Sequence, residues 1–399
     1  MIDLAPTEDQ VAVRDMAARF AREVLRPAEI ALDKMADPDE VFASDVFRSA
    51  MGQAYELGFH KMGIKEEHGG LGLHPVTRGL VWEELAVGGV GIAAGLLAAS
   101  VAPAFLSVLA SHKRDLIDAY VRPFCADTEA KHISAWGSSE PNIGSDGSNY
   151  HDPDVCHEAT ATKEEDGYVL QGAKSSFVSN GGIADLYLVF ACVDPSKGIC
   201  GSGVFLVPYG PGVTRGKALD KIGLRALNQA EVAFESARLP EQHMLMPPGD
   251  NYPMIHNAIK TVGNIGVGYL ALGVLRAAYE EALAYAKERV QFGKPIVQHQ
   301  AMAFRLFDAF QAIEAARGLL WKASWTLAKT GLGDLRMSAA ARVFAANAAM
   351  KHTVEMVQVL GGYGISKEYT LEKYMRDAKL LQIMDATNEI MSIKGAALL

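Results

Sequence analysis

Gln358-Val-Leu-Gly-Gly-Tyr-Gly-Ile-Ser-Lys-Glu-Tyr-Thr-Leu-Glu-Lys-Tyr-Met-Arg-Asp377 closes one long helical pattern and begins another. The break between them is Gly361-Gly362-Tyr363-Gly364. Just beyond, Leu380-Leu-Gln-Ile-Met-Asp385-Ala-Thr387 sets one carboxylate among apolar side chains. Taken alone, the stretch reads as a glycine-stopped helix followed by a capping aspartate. A carboxylate in apolar surroundings also has a raised pKa and can act as a base. The rest of the chain decides between the two.

Working back from Gln358, the patterns stay helical as far as Tyr252. One segment covers 335–360, and a second places Leu306, Phe310, Ile313 and Leu320 on one face. A third runs over 252–289, and the joints at 291–295 and 330–334 are short. Long antiparallel helices with short turns predict a four-helix bundle that includes the C-terminal segment. Before it, from about Ile133, Gly and Ser become frequent and short alternating runs appear. Asp166-Gly167 signals a hairpin, and the runs at 186–192, 203–207 and 232–234 read as strands. This region predicts a small β-sandwich or barrel. The first third is helical again. Thr7-Glu8-Asp9-Gln10 is a capping box, Val13, Met16, Phe20 and Val24 follow at helical spacing, and Pro27 marks the stop. Further helices are expected over 44–57, 76–87 and 113–121, with a loop at Gly69-Gly70-Leu71-Gly72. The predicted fold class is mainly α with a central β domain. Its units are a helical domain (1–130), a β domain (131–246) and a helical bundle (247–399).

With 399 residues, 49% of them hydrophobic, the chain can bury a large core. A net charge of -9 without a basic stripe argues against a nucleic-acid partner. Four cysteines without CxxC spacing suit a reducing compartment. The N-terminal residues have neither a signal-peptide nor a transit-peptide pattern, so a cytoplasmic location is expected. Residues 87–111 carry no charge and are long enough to span a bilayer. They are rich in Gly and Ala and contain Pro103, which favours a buried helix and no membrane. Gly89-x-Gly91-x-x-Ala94 matches a dinucleotide fingerprint, but the segment before it is helical where the fingerprint requires a strand.

Four clusters could carry chemistry. Ser139-Glu-Pro-Asn-Ile-Gly-Ser-Asp146 offers backbone N–H groups and hydroxyls suited to phosphate or a polar ring edge, although an ordinary turn reads the same. In Lys174-Ser-Ser-Phe-Val-Ser-Asn-Gly-Gly182, Phe177 and Ser179 share a strand face that could hold a flat heterocycle. Arg289-Val-Gln-Phe-Gly-Lys-Pro-Ile296 puts a guanidinium at a helix end, either as a satisfied C-terminus or aimed at a pyrophosphate. His151-Asp-Pro-Asp-Val-Cys-His-Glu158 is dense in metal-ligand types but matches no zinc spacing, and it reads as a polar surface loop.

Together and in this order, these motifs resemble the acyl-CoA dehydrogenase family over nearly the whole chain. The C-terminal signature is Gln358-x-x-Gly361-Gly362-x-Gly364-Ile365-x-x-Glu368-x4-Lys373-x3-Asp377. The resemblance implies FAD between the β domain and the bundle, with Phe177 against the isoalloxazine, Ser179 near N5 and Ser139 at the ring edge. Ser145 would lie along the CoA arm. Thr387 and Glu389 would touch the FAD of their own subunit. Arg289, Phe292, Gln358, Gly361 and Gly362 would reach the FAD of a neighbour in a homotetramer. Asp385 would take the α-proton of an acyl-CoA while the β-hydride passes to the flavin, and electrons would leave through an electron-transfer flavoprotein.

The chain departs from the family pattern at the base. The usual Glu-Gly-Thr run is Asp385-Ala386-Thr387 here, one methylene or about 1.5 Å shorter. The alternative base position on the first bundle helix is Gly263, and the family's frequent Arg beside it is Asn264, a candidate substrate contact. The shorter base predicts an α-branched or alicyclic acyl group. Burial against Ile383 and Met384 is expected to tune it. Two rivals are a nitroalkane-oxidase-like enzyme, which would carry an Arg shortly after the Asp base, and a binder of flavin or acyl-CoA without turnover.

Overall fold

Thr7 opens the first helix as the capping pattern predicts. Its hydroxyl accepts from the Gln10 N–H at 3.3 Å, and the Gln10 side chain accepts from the Thr7 N–H at 3.0 Å. The structure, a computed structural model, describes residues 5–399, so residues 1–4 of the N-terminal segment read above lie outside it. Helix α1 (Glu8–Phe20) does not stop at Pro27. It runs through a π-helical turn (Ala21–Leu25) into α2 (Arg26–Asp33), with Pro27 in the first turn of α2. A first-turn proline is tolerated where its missing N–H falls outside the ladder, and the wide turn before it shifts the register. Helices α3 (Pro38–Ala43) and α4 (Asp45–Glu56) follow, and the Ser44 hydroxyl caps α4 by accepting from the Phe47 N–H.

The uncharged stretch lies in α5 (Pro75–Ala99), kinked at Gly89, and in α6 (Val101–Val108). Gly89 and Gly91 sit inside α5 against the Glu29 side chain, not in a strand-to-helix turn. Pro75–Val108 and Tyr252–Glu288 are both long and apolar enough to cross a bilayer, and 78% and 83% of their most apolar windows are buried within the protein. Two short helices, α7 (Arg114–Leu116) and α8 (Arg122–Ala126), end the first unit.

The β domain has eight strands: β1 (Ser134–Gly137), β2 (Thr160–Glu164), β3 (Gly167–Ser179), β4 (Leu186–Cys192), β5 (Ser202–Pro208), β6 (Val213–Arg215), β7 (Gln229–Pro240) and β8 (Met244–Met246). The order is β6-β7-β3-β2-β4-β5-β8, with β1 parallel to β4. Between β2 and β4 only Thr160 and Cys192 pair, so the sheet folds into two halves at that joint. Tyr168 of one half meets Phe205 of the other, ring centroids 5.2 Å apart. The hairpin expected at Asp166-Gly167 joins β2 to β3.

The last unit contains α9 (Tyr252–Glu288), α10 (Gln300–Thr330), α11 (Leu335–Leu360), α12 (Leu371–Leu381) and α13 (Asn388–Ala396). Residues 290–295 are not a plain helix end. They form a small hairpin, β9 (Val290–Gln291) with β10 (Lys294–Pro295), turning at Phe292 and Gly293, both with positive φ. Phe310 is 43% exposed, whereas Leu306, Ile313 and Leu320 are buried as their spacing predicts.

The C-terminal signature ties the three units together. Lys373 donates to Glu29 at 3.0 Å and to Asp377 at 2.6 Å. Asp377 accepts from the Leu224 N–H at 2.7 Å, and Glu29 accepts from the Ile92 N–H at 2.6 Å. All three side chains are buried.

Candidate active site

Where the units meet, a cavity of about 970 Å³ opens between α5, β3, α9 and the loop after α12. Ser139, Ser145, Phe177, Ser179, Asp385 and Thr387, which the sequence places far apart, all line it. Phe177 is 66% exposed, presenting a bare aromatic surface to the cavity. The end of its strand is fixed by Asn180, whose amide donates to the Gly95 carbonyl at 2.9 Å and the Ser134 carbonyl at 3.2 Å. The loop at Ser139 is held from behind by a buried Glu140–Lys174 pair, and Glu140 also accepts from the Glu158 and Ala159 N–H groups. Burial pushes Lys174 down to about 8, with Glu140 pulling the other way. The segment read as a polar surface loop is therefore partly interior. His157 is buried and shares a hydrogen bond with Ser202 at 2.7 Å. Among the described residues no cluster of three His, Cys, Asp or Glu could hold a metal.

Asp385 and Ala386 have φ of 55° and 80°. Two consecutive non-glycine residues in the left-handed region are strained by about 1–3 kcal/mol each. The strain is held by Arg342 of α11, which is fully buried. Its guanidinium donates to the Met384 and Ala386 carbonyls, to the Asp385 carbonyl at 2.9 Å and to Asn264 at 3.1 Å. Burial lowers the Arg342 pKa, and the Asp385 charge opposes that. The turn leaves the Asp385 N–H without a partner among the described residues.

The surroundings of Asp385 differ from the apolar pocket expected. Ile383 is 51% exposed and does not enclose it. Instead the Lys260 ammonium of α9 donates to Oδ1 at 2.8 Å, with side-chain exposures of only 9% and 14%. Lys260 also lies 4.4 Å from the centre of the Trp136 ring. Behind it, Lys394 donates to Tyr150 at 2.9 Å, and Tyr150 meets His256 at 2.7 Å. Burial and the Lys260 charge bring Lys394 down to about 8. Burial, then Lys260 and Lys394, hold His256 well below its usual value.

Gly263 makes room for the base. A methyl group built there would lie 2.1 Å from Asp385 Oδ2. Gly263→Ala should therefore displace the carboxylate and cut turnover about a hundredfold. Steady-state rates combined with thermal unfolding test this, and an alanine variant with normal turnover would contradict it.

Not every expected residue reaches the cavity. Asn264 is fully buried behind its wall, held by Arg342 and by Ser338 at 3.4 Å, so it supports the loop and is out of a substrate's reach. Glu389 is exposed in the first turn of α13, outside the lining, while Thr387 caps that helix. Arg289, Phe292, Gln358, Gly361 and Gly362 lie on the exposed surface and line no part of this chain's own cavity. The Arg289 guanidinium sits 5.9 Å from the Tyr363 ring, so the two motifs form one patch.

Lys260 and Arg342 were missed by sequence reasoning. Lys260 stands one helical turn before Gly263, which puts both on one face. Arg342 is a lone charge in the alanine-rich run Ser338–Met350, the mark of a buried cation with a specific partner.

Three sequence profiles match in domain order. They are the acyl-CoA dehydrogenase N-terminal domain over residues 7–126, its middle domain over 135–237 and its C-terminal domain over 259–397. An acyl-CoA dehydrogenase of Bacillus subtilis (strain 168) is 35% identical, covering 96% of both chains. A cyclohex-1-ene-1-carbonyl-CoA dehydrogenase of Syntrophus aciditrophicus (strain SB) is 32% identical over 96% of this chain and 88% of that protein. The structure of butyryl-CoA dehydrogenase from Megasphaera elsdenii superposes with a TM-score of 0.87 at 32% identity, covering 100% of this chain and 99% of that one.

Proposed function

The chain belongs to the acyl-CoA dehydrogenase family, and from that premise we propose that it oxidises an α-branched or alicyclic acyl-CoA with Asp385 as the α-proton base. It is an oxidoreductase of the FAD-binding class. The observation that carries the reading is the Asp385 carboxylate in one cavity with Phe177, Ser179, Ser139 and Thr387. The exposed face of Phe177 fits a flat heterocycle, with the Ser139, Ser179 and Thr387 hydroxyls at hand for its polar edge. When bound, FAD supplies the acceptor for the β-hydride. The unpaired Asp385 N–H is available to the thioester oxygen, where it would stabilise negative charge as the α-proton leaves. Lys260 holds Oδ1, leaving Oδ2 over Gly263 to take the proton.

An alicyclic or α-branched acyl group is supported by the short base and by the relative named for cyclohex-1-ene-1-carbonyl-CoA. Turnover of cyclohexanecarboxyl-CoA against butyryl- and octanoyl-CoA tests it. A clear preference for the straight chains sinks it. A homotetramer is supported by the surface patch, where Phe292 stands 94% exposed at a hairpin tip. The electron acceptor we propose is an electron-transfer flavoprotein.

Lys260→Met should lower kcat/KM by at least about tenfold, because the carboxylate would lose the donor that holds Oδ1 and aims Oδ2 over Gly263. A folded variant with wild-type kcat/KM would refute this role. One observation favours a second reading. The sequence after Asp385 has no arginine, but a cation is supplied in space by Lys260, as an oxidase with an Asp base would require. Oxygen consumption without any other acceptor separates an oxidase from a dehydrogenase.

A further inference from the structure

The same cavity is also lined from both helical units by Met62, Trp82, Phe105 and Leu327, which form apolar walls. Ala94 and Arg78 both line it from α5, more than four turns apart, or about 24 Å of helix axis before allowing for the kink at Gly89. Most cations on the lining are accounted for. Lys260 pairs with Asp385, Lys221 donates to the Leu219 and Leu227 carbonyls, and Lys379 donates to Gln382. Arg78 has no ion pair or side-chain hydrogen bond among the described residues, and its Nε is enclosed without a partner. The nearest acidic residues of its helix are already engaged, Glu83 by Arg276 and Arg317, and Glu84 by Arg276. His74, one turn earlier, cannot serve as a counter-charge. Burial and the Arg78 charge hold its pKa down. The guanidinium also has a place made for it, since a methyl group on Gly63 would lie 2.4 Å from Nη1.

An enclosed guanidinium without an acceptor is unfavourable, and its planar fork matches a carboxylate in two parallel hydrogen bonds. We propose that Arg78 recognises a carboxylate at the far end of the acyl group, so that the substrate class is the CoA monothioester of a dicarboxylic acid, with any ring or branch confined to the end next to the thioester. The apolar walls would take the hydrocarbon between thioester and carboxylate, and each matched pair below differs only at its far end. This rests on the acyl-CoA dehydrogenase reading above.

The test compares thioesters of matched length: adipyl with hexanoyl, suberyl with octanoyl, dodecanedioyl with dodecanoyl. Wild-type protein should prefer at least one diacid by roughly tenfold to a hundredfold in kcat/KM. In Arg78→Met the diacid-to-monoacid ratio should fall to about one, and Arg78→Lys should recover part of it. Equal wild-type rates within every pair would overturn the inference while leaving the dehydrogenase reading intact. So would a variant that slows both members alike, which would assign Arg78 to the CoA phosphates or to the fold. No flavin bleaching with any thioester would remove the dehydrogenase reading and this inference with it. The wild-type comparison needs no variant, so a misfolded Arg78→Met leaves the proposal exposed to refutation.

Discussion

Asp385→Asn should leave the protein folded and yellow but lower turnover by roughly a hundredfold to ten-thousandfold, the usual contribution of a positioned base. The substitution keeps the shape of the side chain and an acceptor for Lys260. The strained turn should persist because Arg342 holds it through backbone carbonyls, not through the carboxylate. What disappears is the group able to take a proton beside Gly263. The measurement is anaerobic bleaching of the bound flavin on adding an acyl-CoA, alongside flavin content and thermal unfolding. Bleaching at the wild-type rate would show that another residue is the base, and Lys260 would be the next to examine.

Arg342→Met should be the most destabilising single change near the site. Methionine fills most of the volume but donates nothing. Three carbonyls of one turn would lose their donor, as would Asn264. Each buried acceptor left unpaired costs about 1–3 kcal/mol, so a total loss of roughly 3–5 kcal/mol is expected after partial relaxation. The positive φ angles at Asp385 and Ala386 would then have nothing to hold them, and the base would drift with the turn. Chemical denaturation should show the lost stability, and turnover of the surviving folded protein should fall as well. A variant of near-normal stability and rate would mean that the guanidinium is not what sets the turn.

Local signals in the sequence were reliable where one element accounts for them. The helix over Leu335–Leu360, the Thr7 capping box and the β2–β3 turn depend on residues a few positions apart, and all appear as expected. Pro27 misleads because its effect depends on a π turn upstream that leaves no mark in composition. The hairpin at Val290–Pro295 is hidden because two-residue strands are too short to show alternation. Phe310 has the spacing of a core residue, but spacing cannot distinguish a core face from a face open to another molecule. At the site, motif order was enough to bring Ser139, Phe177, Ser179 and Asp385 to one cavity. It could not reveal the pairing of Lys260 with Asp385, 125 positions away, or of Arg342 with three carbonyls of a distant turn. Asn264 shows the converse. Its neighbour Gly263 touches the base, yet one step around the helix turns Asn264 away from the cavity.

The Glu29–Lys373–Asp377 cluster bears on how the molecule comes apart. One carboxylate belongs to the first helical unit, the ammonium and the second carboxylate to the last, and a backbone N–H of the β domain completes the set. Opening the last unit would leave Glu29 without its counter-charge, a penalty of several kcal/mol, and opening either of the others would strip a partner from the Lys373–Asp377 pair. Partial opening is therefore costlier than the surface between units would suggest. The three domains are divisions of architecture, and the chain is expected to unfold as one unit.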